Sequence, residues 1–283
     1  MYRRVLIVLD TIRLGDTLAW IPYCEEFRKT NPKTDVFVQC SHSELFEREY
    51  PLIQFNNEID HADKKYIIRW EDRYREYPLQ EVACVQLGIP YKEILPRIKY
   101  LEASTRKRVT ISTQGTSQAK LWNNPRGWSE VISYLNLKGY EVVCIDQYEY
   151  FGNLQTLQIS YSPTEGVTSK VGPHIPLSDR IQDIASSELF IGVASGMSWV
   201  AWALKVPVVL ISGFSSPDTE MHSNIERVTA PEGVCSGCFS TFEYDPSNWS
   251  WCPSLCKDEE FECSKSIAST EVISRINKIL KIV

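Results

Sequence analysis

Long apolar runs are what this chain most clearly lacks. Nowhere does it reach the ~18 consecutive apolar residues that a membrane span needs. The N-terminal stretch Met1-Tyr-Arg-Arg-Val-Leu-Ile-Val-Leu-Asp10 pairs a charged start with apolar residues. Those residues are too few for a secretory signal and no small-residue cleavage site follows, so they read as a buried first strand. Positive charge is also short. With 30 Lys and Arg against 36 Asp and Glu, the formal net charge is −6, which leaves no basic footprint for nucleic acid or a membrane surface. Histidine is scarce, and His42, His61, His174 and His222 share no ligand spacing. Each reads as a surface or hydrogen-bonded residue, and His222, near the cleft side of the last strand, is the one closest to a functional position. Internal repeats and low-complexity tracts are absent. An odd cysteine count without a signal points to a reducing, cytoplasmic compartment, in a bacterium or a phage-infected one, where cysteines are thiols or ligands.

What the chain has in excess is cysteine near its end. Cys235 and Cys238 flank a Ser-Gly turn, and Cys252, Cys256 and Cys263 follow. A Cys-x-x-Cys turn sets two sulfurs on one side of the backbone, and a second cluster can close a four-sulfur cage. Buried thiols or a disulfide pair are the plainer alternative. The segment from Ser236 to Glu262 is rich in Ser, Asp, Glu and Pro. It has too little aliphatic content for a core of its own, which favours a metal staple. Cys24, Cys40, Cys84 and Cys144 fall in expected helices and strands and read as core thiols.

At 283 residues, 43% hydrophobic and 23% charged, the chain is globular and long enough for two domains. Strands are expected at Val5–Asp10, Asp35–Gln39 and Lys65–Trp70, with helices at Thr17–Lys29, Glu44–Tyr50 and Leu79–Leu87. A charged stretch, Glu93–Arg108, reads as a linker. The pattern then restarts with strands at Arg108–Ser112, Glu141–Ile145, Leu189–Ala194 and Pro207–Ser212. Helices are expected at Gly127–Lys138, stopped by Gly139, and at Leu177–Ser186 and Gly196–Lys205, whereas Asp146–Lys170 has no clear period. An apolar stripe through Val272, Ile273, Ile276, Ile279 and Leu280 marks a closing helix over 269–283. The fold class expected is α/β, with two Rossmann-like domains facing across a cleft, over 1–103 and 104–283. The second domain carries the four-cysteine metal knuckle, 234–264, and the closing helix.

In open α/β sheets, ligands bind beyond the carboxyl ends of strands, at helix N-termini. Three such turns stand out. In Leu14-Gly15-Asp16-Thr17, Gly15 permits close backbone approach, and Asp16 offers a carboxylate able to take the proton of an attacking hydroxyl. A helix-capping role suits Asp16 equally. In Gly192-Val-Ala-Ser195-Gly196-Met197-Ser198, hydroxyls and amides at a helix start suit a diphosphate, although small residues also serve tight packing. In the third, Gln114–Pro125, Lys120 at a strand mouth can neutralise a leaving diphosphate, or is simply a solvated lysine.

These motifs carry a resemblance. Leu14-Gly-Asp-Thr-Leu followed by Ile21-Pro-Tyr-Cys-Glu-Glu-Phe-Arg-Lys resembles the opening of heptosyltransferases of the two-Rossmann (GT-B) class, and the stretch from Ser187 to Phe214 resembles their donor-binding half. Gln118-Ala-Lys-Leu-Trp-Asn-Asn-Pro, Ser198-Trp-Val-Ala-Trp-Ala-Leu, Val234-Cys-Ser-Gly-Cys-Phe, Trp249-Ser-Trp-Cys-Pro and Phe261-Glu-Cys-Ser-Lys-Ser-Ile narrow it to the bacterial autotransporter heptosyltransferases. The resemblance covers nearly the whole chain. It implies an inverting glycosyltransferase that needs no catalytic divalent ion and moves a sugar, heptose or another, from an ADP- or UDP-linked donor to a protein Ser/Thr hydroxyl. It further implies Asp16 as base, Lys120 as diphosphate contact, one structural metal on Cys235, Cys238, Cys252 and Cys263, and a homo-oligomer. Cys256 is then an extra thiol or a substitute ligand. Iron is implied by the resemblance alone, since a four-thiolate cage by itself suits zinc.

The departures bear on the acceptor. Ala194 and Trp199 stand where wider heptosyltransferases carry an Asp and a His. The autotransporter branch carries an extra N-terminal domain before its first strand, which this sequence, reaching its first strand within a few residues, is expected to lack. Two other functions therefore stay open: a phage-type transferase that glycosylates a hydroxymethylated base in DNA, and a non-catalytic assembly protein.

Overall fold

The computed structural model describes residues 3–55, 61–153, 158–253 and 260–282. The chain forms two compact units, Met1–Tyr100 with Asp218–His222, and Leu101–Pro217 with Ser223–Val283.

The first unit runs β1 (Arg4–Leu9), α1 (Leu14–Thr30), β2 (Asp35–Gln39), β3 (Gln54–Phe55), β4 (Lys64–Ile68) and α2 (Leu79–Leu87). Its sheet has the order β3-β2-β1-β4, and every pairing is parallel. Val5, Ile7 and Leu9 of β1 are buried, as are Trp20, Ile21, Tyr23 and Phe27 of α1. Two expectations change here. Helix α1 begins at Leu14, so Gly15 and Asp16 belong to its first turn rather than to the preceding loop. The helix expected at Glu44–Tyr50 is only a 3-10 turn, Ser43–Leu45, entered through left-handed His42 at φ 61°. Phe46 and Tyr50 meet edge to face below it, so their burial comes from an irregular chain path and not from a helical stripe. The excursion Asp218–His222 was not signalled by periodicity. Its Thr219 carbonyl accepts from the Leu79 amide at 2.8 Å, satisfying one orphan donor at the start of α2. The His222 amide donates to Glu93 Oε2 at 2.6 Å.

The second unit runs β5 (Arg106–Ser112), α3 (Gly127–Leu137), β6 (Glu141–Cys144), β7 (Tyr150–Asn153), β8 (Gln158–Tyr161), β9 (Thr168–Ser169), α4 (Leu177–Ala185), β10 (Ser187–Val193), α5 (Gly196–Ala203), β11 (Val208–Ile211), β12 (Ile225–Val228), α6 (Cys238–Thr241), α7 (Glu262–Lys265) and α8 (Ser269–Leu280). The main sheet, β12-β11-β10-β5-β6-β9, is parallel throughout. Strands β5 and β10 each end in five consecutive buried residues, as strands covered on both faces must. Val272 and Ile276 of α8 pack into the same core, which is the docking expected of the closing helix. The aperiodic stretch Asp146–Lys170 holds an antiparallel hairpin, β7–β8, and the edge strand β9. Among the described residues, no helix is long and apolar enough to cross a membrane.

Candidate active site

In the first unit, a cavity of about 770 Å³ opens beyond the carboxyl ends of β1 and β2, with Thr11, Asp16, Gln39, Cys40, Ser41 and Trp70 among its walls. Asp16 is the third residue of α1, and the N-cap position belongs to Arg13, which makes no side-chain cap bond. The carboxylate sits beside the positive end of the helix dipole, where an ionised acid is favoured. Thr11 Oγ1 donates to Asp16 Oδ2 at 2.9 Å. Gly15 and Thr17 are buried in the same turn, and the Thr17 hydroxyl is committed to the Arg13 carbonyl at 3.1 Å. Cys40 is pushed up to about 12 by burial and then by Glu44 and Glu47, so it stays a protonated thiol at neutral pH.

In the second unit, β10 leads directly into α5. Ser195 is the N-cap residue in extended conformation, and its carbonyl accepts from the Ser198 amide at 3.1 Å. The Ser198 hydroxyl is buried and donates to the Val193 carbonyl at 2.7 Å, so it braces the turn. The Ser195 Oγ is buried without a partner. An unpartnered hydroxyl at an uncapped helix start, with Gly196 and half-buried Met197 following, is a receptive place for an anion.

Lys120 lies in a 3-10 turn, Gln118–Lys120, with its Nζ 5.8 Å from the centre of the Phe214 ring. Residues around it tie this loop to the cysteine segment. The Trp249 indole donates to Gln118 Oε1 and the Gln118 amide to the Trp249 carbonyl, each at 3.1 Å. Asn123 Nδ2 donates to Ser264 Oγ at 2.6 Å, while the Trp122 indole and Asn124 Nδ2 both donate to the Ile267 carbonyl at 3.0 Å. The polar and aromatic members of the Gln118–Pro125 motif thus act as a strap, a role that periodicity does not report.

Where β5 and β6 of the second unit end lies a second group that escaped sequence reasoning. Asp146, 1% exposed, accepts from Ser112 Oγ at 3.1 Å, the Thr113 amide at 2.7 Å and Ser162 Oγ at 2.9 Å. It locks the loop after β5 to the loop after β6. The only available signal is that both Ser112-Thr113 and Asp146 fall at strand ends.

The cysteine segment has a core after all, and it is aromatic. Phe214 and Phe261 are buried, with Phe239, Tyr244 and Trp251 packed around them. Counting aliphatic residues missed it. A Cβ on Gly213 would lie 2.9 Å from the Cys263 carbonyl carbon, so the end of β11 touches the segment backbone to backbone. None of the described cysteines forms a disulfide. Burial and then Cys252 and Cys235 push the Cys238 thiol up to about 11. Burial and then Cys238, Cys235 and Cys252 push Cys263 up to about 12. Cys238 and Cys263 therefore each lie within electrostatic reach of Cys235 and Cys252, and thiolate donors suit iron or zinc. Among the described residues, however, no three His, Cys, Asp or Glu side chains are arranged to hold a metal, and Cys256 lies outside them.

Two α/β units, each with an all-parallel main sheet, one with an open helix start and the other with a carboxylate in its cavity wall, make a frame suited to a nucleotide-sugar transferase. Residues 44–237 match the model of glycosyltransferase family 9 (heptosyltransferase), and the chain belongs to that family. It is 34% identical to the autotransporter heptosyltransferase BAHTCr of Citrobacter rodentium, over 98% of this chain and 71% of that protein. The structure of TibC from Escherichia coli, described as a dodecameric iron-containing heptosyltransferase in complex with ADP-D-beta-D-heptose, matches with a TM-score of 0.90 at 33% identity, over 99% of this chain and 77% of that one. BimC of Burkholderia thailandensis, described as an inactive autotransporter heptosyltransferase, is 25% identical over 97% of this chain and 68% of its own. The chain thus has the α/β fold of the GT-B heptosyltransferases and is a glycosyltransferase that uses a nucleotide sugar.

Proposed function

We propose that this chain is a cytoplasmic, homo-oligomeric enzyme that transfers heptose from ADP-heptose to a Ser or Thr hydroxyl of an autotransporter protein, with inversion. The observation that carries the donor half is the buried, unpartnered Ser195 hydroxyl at the start of α5. The likeness to TibC, described in complex with ADP-D-beta-D-heptose, supports the choice of sugar and nucleotide. It also supports the oligomer, since TibC is described as dodecameric.

In the proposed reaction, Asp16 removes the proton from the acceptor hydroxyl, whose oxygen attacks the anomeric carbon as the bond to the diphosphate breaks. Lys120, Ser195 and the amides opening α5 stabilise the charge that collects on the leaving diphosphate. Those donors are strongest where charge is greatest, so they lower the barrier more than they tighten the ground state. Iron held by Cys235, Cys238, Cys252 and Cys263 would staple the cysteine segment, and no chemical step passes through it. The iron assignment is supported by the description of TibC and by the influence of Cys235 and Cys252 on the thiols of Cys238 and Cys263.

The test is a transfer assay with labelled ADP-heptose, offering an autotransporter passenger fragment and hydroxymethylated duplex DNA side by side. Label should enter the protein and not the DNA. Asp16→Asn should keep donor affinity, measured by calorimetry, and lose on the order of 10²-fold in transfer rate. Label in the DNA alone overturns the acceptor, and near-normal turnover by Asp16→Asn overturns the base.

A further inference from the structure

We infer that Thr11 is a positioning residue for catalysis, holding the Asp16 carboxylate in the orientation that proton removal needs. The inference rests on the reading of Asp16 as the base and extends it to a residue outside the helix.

Thr11 follows β1 by two residues, and three hydrogen bonds fix where it stands. Its amide donates to the Leu9 carbonyl at 2.9 Å, folding the chain back at the strand end. Its carbonyl accepts from Ser41 Oγ at 3.0 Å, tying the loop to the end of β2. Its Oγ1 accepts from the Arg13 amide at 3.0 Å. That last bond sets the direction of the hydroxyl. With the Arg13 N–H engaged on the oxygen, the hydroxyl hydrogen is left to point elsewhere, and Asp16 Oδ2 lies 2.9 Å away. Thr11 is therefore an oriented donor, held at both main-chain ends, aimed at one oxygen of the carboxylate.

Two consequences follow for a general base. A carboxylate rotates freely about its last bond unless something holds one oxygen, and proton transfer requires a defined lone pair facing the acceptor hydroxyl. A donor on the charged form also favours ionisation, keeping the base competent to lower pH. A valine at position 11 preserves the branched shape and loses the donor. A serine keeps the donor and loses only a methyl group.

Initial rates and pH profiles of wild type, Thr11→Val, Thr11→Ser, Asp16→Asn and the double variant Thr11→Val/Asp16→Asn test this, with donor KM followed throughout. Thr11→Val should lower kcat by about tenfold to a hundredfold, the worth of a hydrogen bond to a charged group, with donor KM unchanged. The acid limb of its kcat/KM profile should move to higher pH. Thr11→Ser should recover most of the rate and the wild-type profile. In the Asp16→Asn background, Thr11→Val should cost little more, because its effect passes through the carboxylate. A Thr11→Val enzyme with wild-type kcat and profile, or a full Thr11→Val loss that persists without Asp16, overturns the positioning role while leaving the base intact. An active Asp16→Asn enzyme, or a wild type that turns over no donor, overturns the base reading, and the role of Thr11 falls with it.

Discussion

At the scale of single residues, the candidate site separates into side chains proposed to face a ligand and side chains that brace the backbone behind them. Ser195 and Ser198 are three positions apart in one turn and do different things. The first keeps a buried hydroxyl without a partner, and the second spends its hydroxyl on the Val193 carbonyl. Lys120 belongs with the first kind if it binds diphosphate. Removing one charged contact to a phosphate costs about 1.5–3 kcal/mol, or roughly tenfold to a hundredfold in affinity. Lys120→Ala should weaken binding of ADP-heptose and ADP by that factor and leave adenosine binding as before. Calorimetric titration of the three ligands checks this. Equal weakening for all three would mean that the lysine supports the loop through Phe214 instead.

At the scale of elements, the far end of the second sheet carries an ion network that has no part in the proposed chemistry. Glu141, opening β6, accepts from Arg108 of β5 at 2.8 Å and from Thr168 of β9 at 3.2 Å, so one carboxylate joins three strands. Arg108 also reaches Asp183 of α4 at 3.2 Å. The Arg108 hydrogen bonds hold Glu141 below the usual carboxylate range. A carboxylate depressed in the folded state stabilises it fully above its unfolded value of about 4.3. That contribution is lost as pH falls from there through the folded value. Thermal melts between pH 3 and pH 7 should therefore show wild type losing more Tm on acidification than Glu141→Gln does. The side chain is partly exposed, so the difference should shrink in high salt.

At the scale of the whole molecule, the cysteine segment is fastened to the second unit by three devices at once. These are the aromatic cluster around Phe214, the strap from Gln118 to Asn124, and the close approach of Gly213 to Cys263. If iron is added to these, metal-binding energy is folding energy for the segment. Cys238→Ser should then lose metal by elemental analysis and lower stability by several kcal/mol, read as a fall in Tm. Cys256→Ser should keep its metal. Because the apo thiols of Cys238 and Cys263 sit at about 11 and 12, each must release a proton to bind, and metal uptake should strengthen as pH rises.

How much was legible beforehand follows from which forces act locally. Strand β11 is a continuous apolar run, β10 carries one from Leu189 to Val193, and α8 repeats its stripe at helical spacing, so these could be read directly from the residues. The strand-loop-helix turns holding Asp16 and Ser195 were visible for the same reason, since each joins a clear apolar strand to a clear helix. Interactions between residues far apart in sequence were not visible. The Asp146 network joins positions more than thirty residues apart, the strap reaches from Gln118 to Trp249, and Asp218–His222 returns to cap α2. Short elements such as β3, β9 and β12 have too few residues to show a period and exist because a neighbouring strand offers them an edge. The sequence alone therefore determined the layered α/β class, the two candidate turns and the family. Only the tertiary structure decided which hydroxyl stays open, which is spent on bracing and what orients Asp16, because hydrogen-bond partners are settled by where the folded backbone brings distant groups together.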